Sequence, residues 1–310
     1  MPSLICGSIA FDTIMSFGDR FSNAILADQL HNINVAFLVP ELRKEFGGCA
    51  GNIAYNLKLL GGDPRIMATV GQDSQPYLDR LDRLGISRSN IRTFPAAYTA
   101  QAFITTDADN NQITAFHPGA MMFSHENRVA DAGPVKLAIV APDGRDGMLQ
   151  HASDCADLNI PFIFDPGQGL PMFSGAELTR FIELATYVAV NDYEAGLLTQ
   201  RTGLTLEQIA QRVSALVVTR GELGAHIFTA AERIEIDCIA ADRIIDPTGC
   251  GDAFRAGMLF GLSNGMDWAT TGRLASLMGS IKIAYQGGQN HAPGKSEIEE
   301  RFFAAFSYRL

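Results

Sequence analysis

Positive charge is scarce in this chain of 310 residues: 24 Lys and Arg stand against 34 Asp and Glu, a formal net charge of −10. Such a chain repels phosphate backbones, which disfavours nucleic-acid binding. Long hydrophobic runs are missing too. No stretch approaches the roughly 18 uninterrupted apolar residues of a membrane span, and the start, MPSLICGSIAFD, lacks the basic flank and apolar run of a secretory signal. A cytoplasmic protein that does not engage membranes is expected. Cysteines number five, Cys6, Cys49, Cys155, Cys238 and Cys250, scattered and without a C-x-x-C pair. Neither a disulfide framework nor a zinc site is indicated, and they read as reduced thiols. His117 and His125 have no partner at H-x-x-x-H spacing and no converging third ligand, so no metal role is assigned to them.

Apolar residues, by contrast, are plentiful at 47%, with 19% charged, enough to bury a large core. Short apolar runs bounded by Gly, Pro, Asp or Asn occur at Leu4–Ala10, Ile66–Val70, Leu137–Ala141, Phe162–Phe164, Tyr187–Val190 and Leu216–Thr219. Runs of this kind predict strands buried on both faces, hence a parallel sheet. Helical spacing falls between them at Asn52–Leu60, Tyr77–Leu84, Ala176–Ala185 and Leu206–Val213, and again near Asp252–Leu262, Trp268–Tyr285 and Ser296–Phe306. The alternation predicts an α/β fold. Two excursions break the rhythm, and the second holds a hairpin signal: Thr99–Thr106, a turn at Asp109-Asn110-Asn111, then Gln112–Phe116. The expected architecture is a single unit, 1–310, with an open, mainly parallel sheet flanked by helices. A small β-rich lid from about 12–46 and 97–118 covers its carboxyl edge, where ligands bind in such folds. Met121 and Met122 read as lid or core packing, and Arg80, Asp82 and Arg83 as a solvated helix face.

Two glycine-rich stretches carry chemistry. In Asp246-Pro-Thr-Gly-Cys-Gly-Asp252, Pro247 and the glycines stop any strand, and apolar residues at helical spacing follow, so the glycines sit at a helix N-terminus. The free N–H groups and helix dipole there form an anion site. A carboxylate beside bound phosphate repels it unless it serves a hydroxyl, which makes Asp252 a candidate general base; the same residue also reads as a helix cap. The second stretch, Gly47-Gly48-Cys49-Ala50-Gly51-Asn52, again places small residues ahead of a helix, and Asn52 can both donate to and accept from sugar hydroxyls. Taken alone it could equally be a tight packing turn. G-x-G-x-x-G cannot be fitted there, the preceding ELRKEF is no buried strand, and G-x-x-x-x-G-K-[ST] is absent from the chain.

Gly47–Gly62 and Asp246–Leu262 resemble the two glycine-rich signatures of the PfkB or ribokinase family of ATP-dependent carbohydrate and nucleoside kinases. Asn191-Asp-Tyr-Glu194 resembles the family's N-x-x-E element, Thr219-Arg-Gly-Glu-Leu-Gly224 its T-x-G-x-x-G nucleotide loop, and Gly7-Ser-Ile-Ala-Phe-Asp12 the first strand that ends in a sugar-binding Asp. The five motifs run in the family's order over nearly the whole chain, and HNINVAFLVPELRKEFGGCAGN looks most like bacterial adenosine or nucleoside kinases.

The resemblance implies transfer of the ATP γ-phosphoryl to the 5′-hydroxyl of a ribonucleoside. Asp252 would be the base, with the N–H groups of Gly249, Cys250 and Gly251 stabilising the transferred group. Asp12 would accept ribose hydroxyls, Asn52, Gly47 and Gly48 would hold the other side of the sugar, and Phe37, Phe103 and Phe116 would line a slot for the base. Thr219, Gly221, Gly224, Gly251 and the segment around Ser276 would meet the nucleotide. Asn191 and Glu194 would face the hydration shell of Mg²⁺, although a helix N-cap with an acid in its first turn has the same spacing. Asp246 resembles a residue near the monovalent-cation loop of several relatives, which leaves K⁺ use open. Pro247 stands where Thr is common in the family and Cys250 where Ala is usual, without removing the helix-start amides as a group. A free-sugar kinase acting on ribose or fructose, and a non-catalytic nucleoside sensor, are the alternatives; monomer and homodimer are both open.

Overall fold

The computed structural model describes residues 1–25, 34–109 and 111–310. Among these, thirteen strands form two sheets. The larger contains β1 (Ser3–Cys6), β4 (Pro64–Gly71), β5 (Ser87–Phe94), β8 (Leu137–Val140), β9 (Phe162–Phe164), β10 (Tyr187–Asn191), β11 (Ala215–Thr219), β12 (Ala225–Phe228) and β13 (Arg233–Ile236). Its order is β13-β12-β11-β10-β9-β8-β1-β4-β5, parallel throughout except that β12 runs antiparallel to both of its neighbours, β11 and β13. The smaller sheet, β3-β2-β6-β7, is built from β2 (Ala10–Ser16), β3 (Glu41–Gly47), β6 (Ala100–Thr106) and β7 (Gln112–His117). Part of the first excursion, 26–33, and Asn110 of the hairpin turn lie outside the described residues.

Helices cover both faces of the large sheet: α2 (Cys49–Leu59), α3 (Gln75–Leu84), α8 (Cys250–Ser263) and α9 (Trp268–Ile283) on one, α4 (Arg145–Asp157), α5 (Gly175–Leu184), α6 (Asp192–Thr202) and α7 (Leu206–Ala210) on the other. A single turn, α1 (Phe21–Ala24), follows β2, and α10 (Lys295–Phe306) packs on α9. Strands covered on both faces must be apolar at every position, and alternate side chains feed alternate cores. Ile5, Ile66, Ile139 and Val217 enter the core under α2, α3 and α8, whereas Leu4, Val140, Phe162 and Leu216 enter the one under α4 to α7. No helix of the described residues is long and apolar enough to cross a membrane.

Several sequence expectations need correction. Leu4–Ala10 is not one strand: β1 ends at Cys6 and β2 begins at Ala10 in the other sheet. Gly7 and Ser8 make the crossing, their N–H groups donating to Met67 and Pro142 of neighbouring segments. Continuous apolarity cannot register such a change of sheet, because both strands are buried there. β3 is a strand, though its mixed exposure gave it no apolar run, and the edge strand β5 and helix α4 escaped for the same reason. α7 stops at Ala210, three residues short of the expected end. Met122 is exposed rather than packed.

Candidate active site

The two glycine stretches become the N-termini of α2 and α8. Gly48 caps α2 at φ +84°, and a Cβ there would strike the backbone of Ser8 and Ala10. Gly249 caps α8 at φ +78°, a conformation that glycine adopts without penalty. The Cys250 N–H closes a turn onto the Pro247 carbonyl at 3.1 Å, so of the three amides expected to bind an anion, that of Cys250 is spent inside the turn. Those of Gly249 and Gly251 donate to no other described residue and, with the helix dipole, are free to meet an anion.

Asp252 is the third residue of α8, already helical, and its carboxylate caps no backbone amide; the cap reading is therefore corrected. Its Oδ2 accepts instead from Asn52 Nδ2 at 2.8 Å. Burial pushes the Asp252 pKa up to about 6; the Asn52 hydrogen bond pulls it down, Asp165 raises it and Arg255 lowers it. One helical turn on, Arg255 donates to Asp165 at 3.1 Å, both side chains almost wholly buried, and its Nε and Nη1 have no partner among the described residues. A buried guanidinium here offsets the negative charge that Asp165 and Asp252 bring to the interior.

Asn52 was expected against the sugar. In the fold its Nδ2 donates to Asp252 while its Oδ1 accepts from Gln289 at 3.1 Å. Gln289 also donates to Tyr77 Oη, which donates to the Gly47 carbonyl at 2.7 Å. Arg80 donates to both Gln289 oxygens and lies over the Phe46 and Tyr55 rings, so it belongs to this network and not to a solvated face; Asp82 and Arg83 are exposed as expected. Tyr77, Gln289, Arg255 and Asp165 were missed from the sequence. Arg255 alone left a signal, a cation three residues after Asp252 in an otherwise apolar helix.

Asp12 lies within β2, not at the end of β1. A Cβ on Gly47 would collide with its carboxylate, so that glycine makes room for it. Burial, then Glu45 and Asp246, push the Asp12 pKa up to about 6. Directly opposite partners in a sheet share a face, and the register aligns Asp12 with Glu45, Ala102 and, through Ala102, Phe116. Glu45 accepts from Asn290 of the main body, so this face looks into the cleft. Phe103 aligns with Thr13 and Ala115, on the opposite face, and cannot line a slot with Phe116. A one-residue offset reverses a strand's side chains. Phe37 packs against Phe17 and Phe21.

At the carboxyl ends of β10 and β11, Asn191 and Thr219 are register neighbours. Asn191 and Glu194 form a reciprocal cap: Asn191 Oδ1 accepts the Glu194 N–H at 2.7 Å, and Glu194 Oε2 accepts the Asn191 N–H at 2.8 Å. One Glu194 oxygen remains, near Asp165. No three acidic, His or Cys side chains among the described residues converge to hold a metal. A magnesium ion carried on nucleotide phosphates would keep several of its own waters, and the remaining Glu194 oxygen has the chemistry to accept from them. Gly221 lies in the left-handed region after β11, but the space beside Gly224 is filled by Ile236 and Cys238 backbone, and Ser276 Oγ is tied to the Asp237 carbonyl at 2.9 Å. Gly224 and Ser276 thus brace the fold. The oxygens expected for a potassium ion at Asp246 are already satisfied by the protein.

With this geometry in place, comparisons with known proteins are specific. The profile of the pfkB family carbohydrate kinases matches residues 12–295. A structure of Burkholderia thailandensis nucleoside kinase in complex with inosine is 60% identical and covers 99% of each chain at a TM-score of 0.91. The same enzyme in complex with ADP-inosine superposes at 0.88, with 62% identity over 99% of this chain and 97% of that one. A nucleoside kinase of Methanocaldococcus jannaschii is 33% identical over 86% of this chain and 89% of its own length.

Proposed function

The chain belongs to the pfkB family of carbohydrate kinases, and on that premise we propose that it transfers the γ-phosphoryl group of ATP to the 5′-hydroxyl of a ribonucleoside, with the purine nucleosides inosine and adenosine as leading acceptors. The observation that carries the reading is the Asn52–Asp252 contact, which sets a carboxylate of raised pKa beside two unspent amides at a helix N-terminus.

Each protein group then has a task. Asp12 and the cleft face of the small sheet take the nucleoside, the carboxylate accepting ribose hydroxyls and Phe116 meeting the base. Asn52, fixed by Gln289, holds Asp252 so that its carboxylate accepts the 5′-hydroxyl proton as O5′ bonds to the γ-phosphorus and ADP departs. Gly249 and Gly251 donate to the phosphoryl oxygens while charge spreads over them. Glu194 would face the waters of a magnesium ion bound on the phosphates, an ion that would supply charge neutralisation there. Positioning and electrostatics carry most of the catalysis in such a transfer. Closure of the small sheet as a lid would exclude water from the γ-phosphate.

The test is a coupled assay with ATP and a panel of inosine, adenosine, guanosine, cytidine, ribose and fructose. Higher kcat/KM on nucleosides than on either free sugar is expected. A preference for ribose or fructose would replace this reading with that of a free-sugar kinase, and binding without turnover would replace it with that of a sensor.

A further inference from the structure

The oxygens around Asp246 that a monovalent cation would use are already engaged by donors of the protein. Oδ1 accepts the Thr248 N–H at 2.9 Å and Oδ2 the Gly287 N–H at 2.8 Å. The main-chain oxygens of Asp246 and Tyr285, the kind of ligand a potassium ion would need, accept from Lys282 Nζ at 2.7 and 3.0 Å. Lys282 is the penultimate residue of α9, and none of it reaches solvent. We propose that the Lys282 ammonium stands in for a monovalent cation beneath the anion site, joining the loop of Asp246–Gly249 to that of Tyr285–Gln289, so that turnover is indifferent to potassium.

The placement makes Lys282 a positioning residue. An ammonium is a compact positive charge whose donors meet carbonyl oxygens as a bare cation does, and here it is fixed covalently to a helix. One of the loops it joins leads into Gly249, Gly251 and Asp252. The other carries Gly288, packed so closely that a Cβ on Gly249 would lie 3.1 Å from its Cα, and Gln289, which holds Asn52. The backbone repeats the link, because the Ile245 and Asp246 N–H groups both donate to the Ile283 carbonyl. A potassium ion entering this place would compete for the same carbonyls and set a second positive charge against a buried ammonium, which low-polarity surroundings penalise. Removing the ammonium strands two carbonyls and loosens both sides of the catalytic turn.

This inference rests on the phosphotransfer reading, and the test separates the two. The full-length protein is assayed with ATP, magnesium and inosine at constant ionic strength in KCl, NaCl and choline chloride, and its thermal melts are recorded in the same salts. Wild-type kcat and Tm should be equal in the three, within about twofold for kcat. Lys282→Ala opens space and should lose kcat about tenfold or more in choline, with KM less affected. Its activity should recover in KCl, and its Tm should rise with KCl concentration as a site vacated by the ammonium fills. Lys282→Met keeps the stem and should stay impaired in every salt. Activation of the wild type about fivefold or more by KCl over choline, or potassium-specific stabilisation of its fold, overturns the proposal. So does a cooperatively melting Lys282→Met with wild-type kcat in choline. If neither variant folds, the wild-type salt series decides. Absence of any nucleoside turnover defeats the functional reading instead, and the wild-type melts still test the cation site.

Discussion

Asp252→Asn should make the protein more stable and nearly inactive at the same time. The carboxyl titrates at about 6 in the fold against an ordinary 3.8, chiefly because it is buried. A raised folded pKa means that the native state binds the proton more tightly. Native stability attributable to this group is therefore present below about pH 4 and lost as pH rises through 6. At about 1.4 kcal/mol per pH unit, ionising it in place costs up to about 3 kcal/mol, and partial access to solvent reduces the recoverable part to about 1–2. Asparagine removes the charge and keeps an oxygen for Asn52 Nδ2. A chain of this size gains about 2 °C in Tm per kcal/mol, so the variant should melt about 2–4 °C above wild type at pH 7.5 and level with it near pH 4. Under the same conditions kcat should fall by about 10²–10⁴, with inosine and ATP binding nearly intact. Differential scanning calorimetry across pH with single-turnover kinetics measures both. A variant that melts below wild type at pH 7.5, or by the same margin at both pH values, refutes the burial argument. Retention of more than about a tenth of kcat refutes the base.

Asp12→Ala should weaken ribonucleoside binding by about 1.5–3 kcal/mol, and 2′-deoxyribonucleoside binding by less; equal losses by isothermal titration would argue against a hydroxyl contact. Because burial raises both Asp12 and Asp252 to about 6, kcat/KM should be flat above pH 7 and fall below 6 more steeply than one proton allows. A profile level down to pH 5 would contradict both values. Phe116→Ala should raise KM for purine nucleosides, whereas Phe103→Ala should leave it near wild type, since the two rings lie on opposite faces of the small sheet. The reverse order would place Phe103, not Phe116, on the cleft face of the small sheet.

The parts legible in the sequence are those set by short-range physics. Strands such as Leu137–Val140 and Phe162–Phe164 announce themselves because a chain covered on both faces must be apolar throughout. The glycine turns before α2 and α8 announce themselves because left-handed backbone and close approach exclude side chains. Asp252 stood out as well, as a carboxylate at a helix start beside an anion-type turn, with a helix cap as its alternative reading. Exposed or amphipathic elements, β3, β5 and α4, carried no such signature, and the short β1 merged with β2 because apolarity does not record a change of sheet.

Partnership was the province of tertiary structure. Asn52 and Asp252 are 200 residues apart, and Gln289 meets Asn52 across 237, so no local pattern could show that these three side chains are hydrogen-bonded to one another. The same holds for Lys282, which reads as an ordinary lysine in a helix until the fold seats it on the carbonyls of Asp246 and Tyr285. Residue chemistry and backbone conformation are local, so the sequence by itself determined the α/β class, the two glycine turns at helix starts and the candidate base. Which side chain faces which, on what side of a sheet and at what pKa, depends on groups that only packing brings within a few ångströms, and that the tertiary structure alone decided.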